Sequence, residues 1–270
     1  MIAILLCIYN GEHYLHEQID SLLAQTYSEY KIFVHDDGST DKSIDVVKDY
    51  VQLYPDKIEI VEDSQKHRGA GASFMWMMQQ VESDYYMFCD QDDKWLPNKV
   101  ADTYARMVEV ESLHPDVPVL IHTDLSVCDG NLNIIHSSFW QYQNFKVDVS
   151  KKKQFIGFGN IVTGCTVIVN RKVRDVAYPY DDSYIHDYWL ALCVAKHGFV
   201  DNLKKQTMLY RQHGDNVAGA GQQYHKSKVG YKSFFRNLKV EQRRVRQVAG
   251  FGICQWLLYR IKYFFYRHLL

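Results

Sequence analysis

The sequence predicts an α/β fold: a mostly parallel sheet flanked by helices, with a basic and aromatic helical extension at its C-terminal end. Three observations lead there. Strand and helix patterns alternate through the first half, the arrangement that builds a parallel sheet covered by helices. The opening run Ile2-Ala3-Ile4-Leu5-Leu6-Cys7-Ile8 is apolar at every position, as expected of a strand buried on both faces. Two acidic clusters, starting at Asp36 and Asp90, directly follow strand patterns, and ligands of such sheets bind at the carboxyl ends of strands.

The elements follow in order. After Ile2–Ile8, residues 12–25 place Leu15, Ile19, Leu22 and Leu23 at helical spacing. Lys31–His35 reads as a second strand, ending in Asp36-Asp37-Gly38-Ser39. Thr40 or Asp41 could cap a helix running towards Leu53. Lys57–Val61 and Tyr85–Cys89 read as the third and fourth strands, with a helix after the basic, glycine-containing stretch Lys66–Gly71. Pro97 sits where the first turn of another helix would begin. Val119–His122 and Thr163–Val169 read as later strands, and from Tyr231 the pattern is helical. The expected organisation is one domain over residues 1–220 and a helical extension over 221–270.

Composition agrees. A chain of 270 residues that is 47% hydrophobic can bury a large single core. The net charge of −1 hides an asymmetry: His225–Leu270 carries 11 Lys and Arg against one acid, Glu241, so the body is acidic. Such a tail meets something anionic. Nucleic acid is disfavoured because the body lacks a basic face. In Phe251–Leu270, Trp256, Tyr259, Tyr263, Phe264, Phe265 and Tyr266 alternate with Arg260, Lys262 and Arg267, which suits a helix lying on an anionic membrane surface. A helix pair that packs on the body or dimerises is the competing reading. No apolar run reaches the length of a spanning helix. The six cysteines are scattered without a C-x-x-C pair, which argues for a reducing compartment and against disulfides or zinc. The expected location is cytoplasmic, peripheral on the inner face of the cell membrane.

Chemistry concentrates in Asp90-Gln91-Asp92-Asp93. Carboxylates this close repel one another, and hard oxygen ligands suit Mg²⁺ or Mn²⁺ shared with substrate phosphates. A calcium loop fails, since its sixth position would be Trp95 and its twelfth Ala101. Asp36-Asp37-Gly38-Ser39 alone reads as a turn and helix cap. At a strand end, Asp37 could instead accept from the N3–H of uracil or thymine. Arg68 and the amides around Gly69 could hold a nucleotide or its phosphates, or form a plain surface loop.

Three ordered motifs now make a set: Ile8-Tyr9-Asn10-Gly11 after the first strand, Asp36-Asp37-Gly38-Ser39 after the second, and Cys89-Asp90-Gln91-Asp92-Asp93-Lys94-Trp95 after the fourth. Over residues 1–220 the set resembles the family 2 inverting glycosyltransferases, which have the Rossmann-like GT-A fold. The phrase from Phe88 to Pro97 looks like bacterial rhamnosyltransferases of cell-surface polysaccharide synthesis. The resemblance implies that Tyr9, Asn10, Asp37, Arg68, Asp90, Gln91, Asp92 and Arg211 meet a nucleotide-sugar. It implies that Asp187, in His186-Asp187-Tyr188-Trp189, is the catalytic base, with His186 in place of the family's first acid. Trp95, Asn160, Gly164, His186 and Trp189 would line the sugar and acceptor pocket. Asp92 and His213 would hold Mn²⁺ or Mg²⁺. The donor would be a dTDP- or UDP-sugar, foremost dTDP-rhamnose, and the acceptor a saccharide, lipid-linked if the tail docks on membrane. The alternatives are a UDP-hexose donor, another metal-dependent nucleotide-sugar or nucleotidyl-transfer enzyme, and a non-catalytic carbohydrate-binding protein. Against nucleotidyl transfer, Tyr9-Asn10-Gly11-Glu12-His13 is not a glycine-rich basic loop.

Overall fold

A computed structural model describes residues 1–149, 151–213 and 231–268. Ile2–Ile8 forms strand β1, buried at every position. Ile2, Ile4, Leu6 and Ile8 enter one hydrophobic cluster, while Ala3, Leu5 and Cys7 enter another on the opposite face. Alternation with two apolar sides explains why the run has no polar position.

Helix α1 (Glu12–Leu23), β2 (Tyr30–Asp36), α2 (Ser43–Leu53), β3 (Ile58–Ile60), α3 (Ala70–Gln80) and β4 (Tyr85–Cys89) follow. The strands lie in the order β3-β2-β1-β4, all parallel. On one face α1 and α2 bury Leu15, Ile19, Leu22 and Val47. On the other, α3 buries Phe74, Met75, Met77 and Met78. With β2 on one flank of β1 and β4 on the other, the chain departs in opposite directions, and a crevice opens past the carboxyl end of β1.

The second half is β5 (Lys94–Trp95), α4 (Lys99–Leu113), β6 (Val119–Cys128), β7 (Ile134–His136), α5 (Phe139–Tyr142), α6 (Lys153–Ile156), β8 (Val167–Asn170), α7 (Arg174–Ala177), α8 (His186–His197) and β9 (Phe199–Arg211). The sheet continues β8-β6-β9-β5, with β7 beside β6. Here it is mixed: β8 runs antiparallel to β4 and β6, while β6 and β9 are parallel. The parallel order expected from the sequence therefore belongs to the half that carries the strand-end motifs.

Two boundaries shift for local reasons. Helix α2 starts at Ser43, because the Asp41 carboxylate bridges two helix starts, accepting from Ser43 N at 2.9 Å and Glu12 N at 3.1 Å. The strand expected from Thr163 begins at Val167, because Gly164–Thr166 curls into a 3₁₀ turn.

Helices α9 (Tyr231–Ala249) and α10 (Ile253–His268) pack on the body through a third core, in which Val245 and Trp256 meet Val149, Phe155, Phe158 and Ile161. The boundary expected at 220/221 lies outside the described residues. Among the described residues no helix is long and apolar enough to cross a membrane. All six cysteines are free, and only Cys254 is exposed.

Candidate active site

The crevice begins at the loop leaving β1. Asn10 has φ 49°, a left-handed conformation that Asn tolerates better than most residues. The turn is pinned on both sides: Asn10 N donates to Ser39 Oγ at 3.0 Å, and Asn10 Oδ1 accepts from Thr40 N at 2.8 Å. Gln91 clamps the preceding peptide, accepting from Tyr9 N at 2.7 Å and donating to Tyr9 O at 2.9 Å. A Cβ on Gly11 would meet the Gln91 amide at 2.4 Å, so a side chain there would push Gln91 out of its clamp on Tyr9. The Tyr9 ring remains 49% exposed, edge-on to His67.

Asp37, at the end of β2, is buried and accepts from Arg68 N at 2.7 Å and Gly69 N at 2.8 Å. This folds the 66–69 loop over the strand end. A carboxylate has about four acceptor positions, so capacity remains for a base edge. The Arg68 side chain is not aimed at phosphates as expected. Its Nε and Nη2 donate to Asp63 at 2.5 and 3.2 Å, and it lies over the Trp76 ring. This guanidinium holds Asp63 at about 2, below the ordinary carboxylate range.

The acidic run follows β4, and its members point to different partners. Asp93 is fully buried; one oxygen accepts from Arg211 N at 3.1 Å and Oδ2 has no partner among the described residues. Burial, then the charges of Asp92 and Asp90, pushes its carboxyl well above the ordinary range. Asp90 is pushed up to about 7 by burial, then by Asp92 and Asp187. Ligand atoms of Asp90, Asp93 and Cys165 lie within 4.8 Å of one another. Asp92 Oδ2 sits 2.7 Å from His213 Nε2, and Tyr14 stacks on that imidazole at 4.8 Å.

Beneath this cluster lies Lys99, which the sequence reading missed. It is 1% exposed, donates to Thr207 Oγ1 at 3.2 Å and caps the Trp95 ring at 4.6 Å. Burial lowers it to about 8, against the attraction of Asp90 and Asp93 among others. A signal was available: Lys99 opens helix α4, where the helix dipole disfavours a cation.

Two expected site residues prove to be scaffold. Trp95, placed in the acceptor pocket from the sequence, is 2% exposed and packed in the core, because β5 pairs antiparallel with β9 and turns the ring inward. Arg211, expected to face the diphosphate, is 3% exposed. It donates to Asp92 O at 2.8 Å, Gly130 O at 2.6 Å and Glu17 Oε2 at 2.5 Å. It shapes the acidic loop instead of presenting its fork to a ligand.

Asp187 sits in the first turn of α8 and is 7% exposed. Asn160 Nδ2 donates to Oδ1 and Gly164 N to Oδ2, both at 3.0 Å. Burial outweighs these bonds and pushes the carboxyl up to about 7. His186 is wedged against Phe74 and Phe88 at 4.6 and 5.4 Å, with no hydrogen-bond partner among the described residues on either ring nitrogen. Burial lowers it to about 3, so the imidazole is neutral. A Cβ on Gly164 would lie 2.5 Å from His186 Nε2. Trp189 is half-buried; its Nε1 donates to Ala177 O at 2.6 Å and its ring meets Tyr184, which fixes α8.

The residues fit a divalent cation. Two ligands on one such ion stand about 3 Å apart, close to the separation of Asp92 Oδ2 and His213 Nε2. The Asp92 carboxylate, with further oxygens from a diphosphate, suits Mn²⁺ or Mg²⁺, and the imidazole favours Mn²⁺ of the two.

The comparisons with known proteins agree with this geometry. The profile of Glycosyl transferase family 2 matches residues 3–124, from β1 through the acidic run. An uncharacterised glycosyltransferase of Nostoc sp. is 30% identical over 240 residues, covering 85% of this chain and 71% of that protein. The dTDP-rhamnosyl transferase RfbG of Shigella flexneri is 26% identical over 257 residues, covering 90% and 82%. Among solved structures, S. aureus TarS 1–349 with UDP-GlcNAc superposes with a TM-score of 0.63 at 16% identity, covering 98% of this chain and 72% of that one. The mannosyltransferase PcManGT from Pyrobaculum calidifontis, with GDP-Man and Mn²⁺, gives 0.60 at 16%, covering 77% and 56%. At these identities the likeness to solved structures is one of fold. This chain belongs to glycosyl transferase family 2 and transfers a sugar from a nucleotide-sugar donor.

Proposed function

We propose that the chain moves L-rhamnose from dTDP-rhamnose to a saccharide acceptor, with inversion, in cell-surface polysaccharide synthesis. The observation that carries the reaction is Asp187: a buried carboxyl, oriented by Asn160 and Gly164 and pushed up to about 7, within electrostatic reach of Asp90. A base titrating near neutral pH combines availability with proton affinity.

In the reaction the acceptor oxygen bonds to the anomeric carbon as its proton passes to Asp187. The bond from that carbon to the diphosphate oxygen breaks, and its electron pair leaves with the nucleoside diphosphate. One displacement inverts the centre. Asp92 and His213 would hold Mn²⁺ or Mg²⁺, which offsets charge growing on the leaving diphosphate. Gln91 and Asn10 fix the loop above β1, Asp37 reads the base, and the Arg68 and Gly69 amides keep its carboxylate in place. Neutral His186, between two phenylalanines, makes a dry wall beside the base.

Similarity to RfbG supports rhamnose as the sugar. Asp37 supports a pyrimidine nucleotide without separating thymine from uracil, so a UDP-hexose is the second reading. The extension supports docking on the anionic inner face of the membrane, within reach of a lipid-linked acceptor. On α10, Ile253, Leu257, Ile261, Phe264 and Phe265 are exposed on the side away from Trp256, Tyr259 and Tyr263, with Lys262 beside them. The test is consumption of dTDP-rhamnose by purified protein with Mn²⁺ and bacterial membranes as acceptor. Consumption of a UDP-hexose alone would replace the rhamnose reading. Consumption of neither would overturn both.

A further inference from the structure

We infer that the C-terminal helix pair is part of the apparatus that positions the catalytic base, acting through residues 155–164. This rests on the reading of Asp187 as that base.

The contacts form a continuous path. On α9, Val245 is 1% exposed and lies so close to Gly157 that a Cβ there would stand 2.8–3.1 Å from its side chain and backbone. On α10, the Tyr263 hydroxyl would stand 2.9 Å from a Cβ on Gly159. The Tyr263 ring stacks on Phe158 at 5.3 Å and 19°, and meets Phe155 at 6.0 Å. The next residue along is Asn160. Its Nδ2 donates to Asp187 Oδ1, and its Oδ1 accepts from Val162 N at 3.0 Å, shaping the turn that aims Gly164 N at Asp187 Oδ2.

A second path arrives from α8. Tyr188, adjacent to the base, donates from its hydroxyl to Ile156 O at 3.1 Å, and Arg244 of α9 lies over its ring at 5.3 Å. The helix pair therefore grips both the segment that hydrogen-bonds Asp187 and the residue beside it. The glycines at 157 and 159 let the helices approach this closely. An independent appendage would need neither the close approach nor the stacked ring. Tyr263 and Val245 are positioning residues: they touch no substrate and act through Asn160 and Gly164.

The test compares wild type, Tyr263→Ala, Tyr263→Phe and Gly157→Ala in the full chain. Gly157 has ordinary helical dihedrals, so alanine there perturbs only the contact with Val245. Two readouts are taken: hydrogen exchange of residues 157–165, and kcat with donor KM. Tyr263→Ala and Gly157→Ala should each speed exchange in that segment and lower kcat about tenfold, the effect of one charge-assisted hydrogen bond, with donor KM unchanged. Tyr263→Phe keeps the stacked ring and should restore most of both. Unchanged exchange in both disrupted variants, or a rise in donor KM without loss of kcat, overturns the inference. Exchange needs no turnover. Faster exchange in Tyr263→Ala and Gly157→Ala, beside a wild type that transfers no sugar, would refute the functional reading and leave the coupling standing.

Discussion

Replacing Asp187 with Asn should cripple transfer and also stabilise the protein above neutral pH. The carboxyl is 7% exposed, and burial raises it to about 7. In the unfolded chain it would titrate near ~3.9. A shift of about three units corresponds to about 4 kcal/mol. The folded state holds the proton more tightly than the unfolded state, so ionisation opposes folding. Below about pH 4 the group is protonated in both states and the penalty vanishes; it grows through about pH 7 and is constant above. Asparagine carries no charge at any of these values. It cannot, however, accept from both Asn160 Nδ2 and Gly164 N, since its amide nitrogen would face one of them, at a cost of about 1–3 kcal/mol. The variant should therefore be more stable by about 1–3 kcal/mol near pH 8, and less stable by a similar amount near pH 4. Urea unfolding at both pH values measures this. Turnover measured alongside should fall about 10²–10⁴-fold with donor affinity intact. A variant less stable at high pH would refute the burial argument, and near-normal turnover would remove the base.

Asp92→Asn should weaken Mn²⁺ binding about 10-fold or more, and with it metal-dependent donor binding; unchanged affinity by Mn²⁺ titration would remove Asp92 as a ligand. Gly164→Ala should cost about 1–3 kcal/mol, because the new Cβ meets the buried His186 ring, and should lower turnover by moving the amide that serves Asp187; a melting temperature equal to wild type would contradict the packing described. Leu257→Asp with Ile261→Asp should release the protein from anionic liposomes, as should deletion of residues 230–270. Unchanged co-sedimentation would count against membrane docking.

The parts legible in the sequence were those where local pattern and site coincide. Strand β1 was readable because both its faces are core, leaving no position for a polar residue. Asp37 and Asp92 follow strand ends and Asp187 opens a helix, positions that a local pattern marks in the sequence. The cations were not. Arg68 and Arg211 have the right chemistry for phosphate, but their partners decide their direction, and Glu17 lies 194 residues from Arg211 in the chain. Trp95 stands beside the acidic run in sequence, yet the β5–β9 pairing turns it into the core. Lys99 carries only a weak local sign, a cation at a helix start, and its burial beside Asp90 and Asp93 comes from packing that the sequence does not show. The sequence alone leaves open whether the C-terminal helices pack on the body or face a membrane. One face of α10 does pack on the body, through aromatic residues, while its aliphatic face stays exposed.

The most direct test of a metal-assisted nucleotide-sugar site is thermal stability against a panel of nucleotide-sugars, with Mn²⁺ and with chelator. At about 100 times the dissociation constant, a donor should add about 2.7 kcal/mol, which for a chain of this size is a rise of roughly 5 °C. The account predicts that rise for dTDP- or UDP-sugars with Mn²⁺ present, and its loss in chelator and in Asp92→Asn. A response to no pyrimidine nucleotide-sugar, or one equally large in chelator, would contradict it.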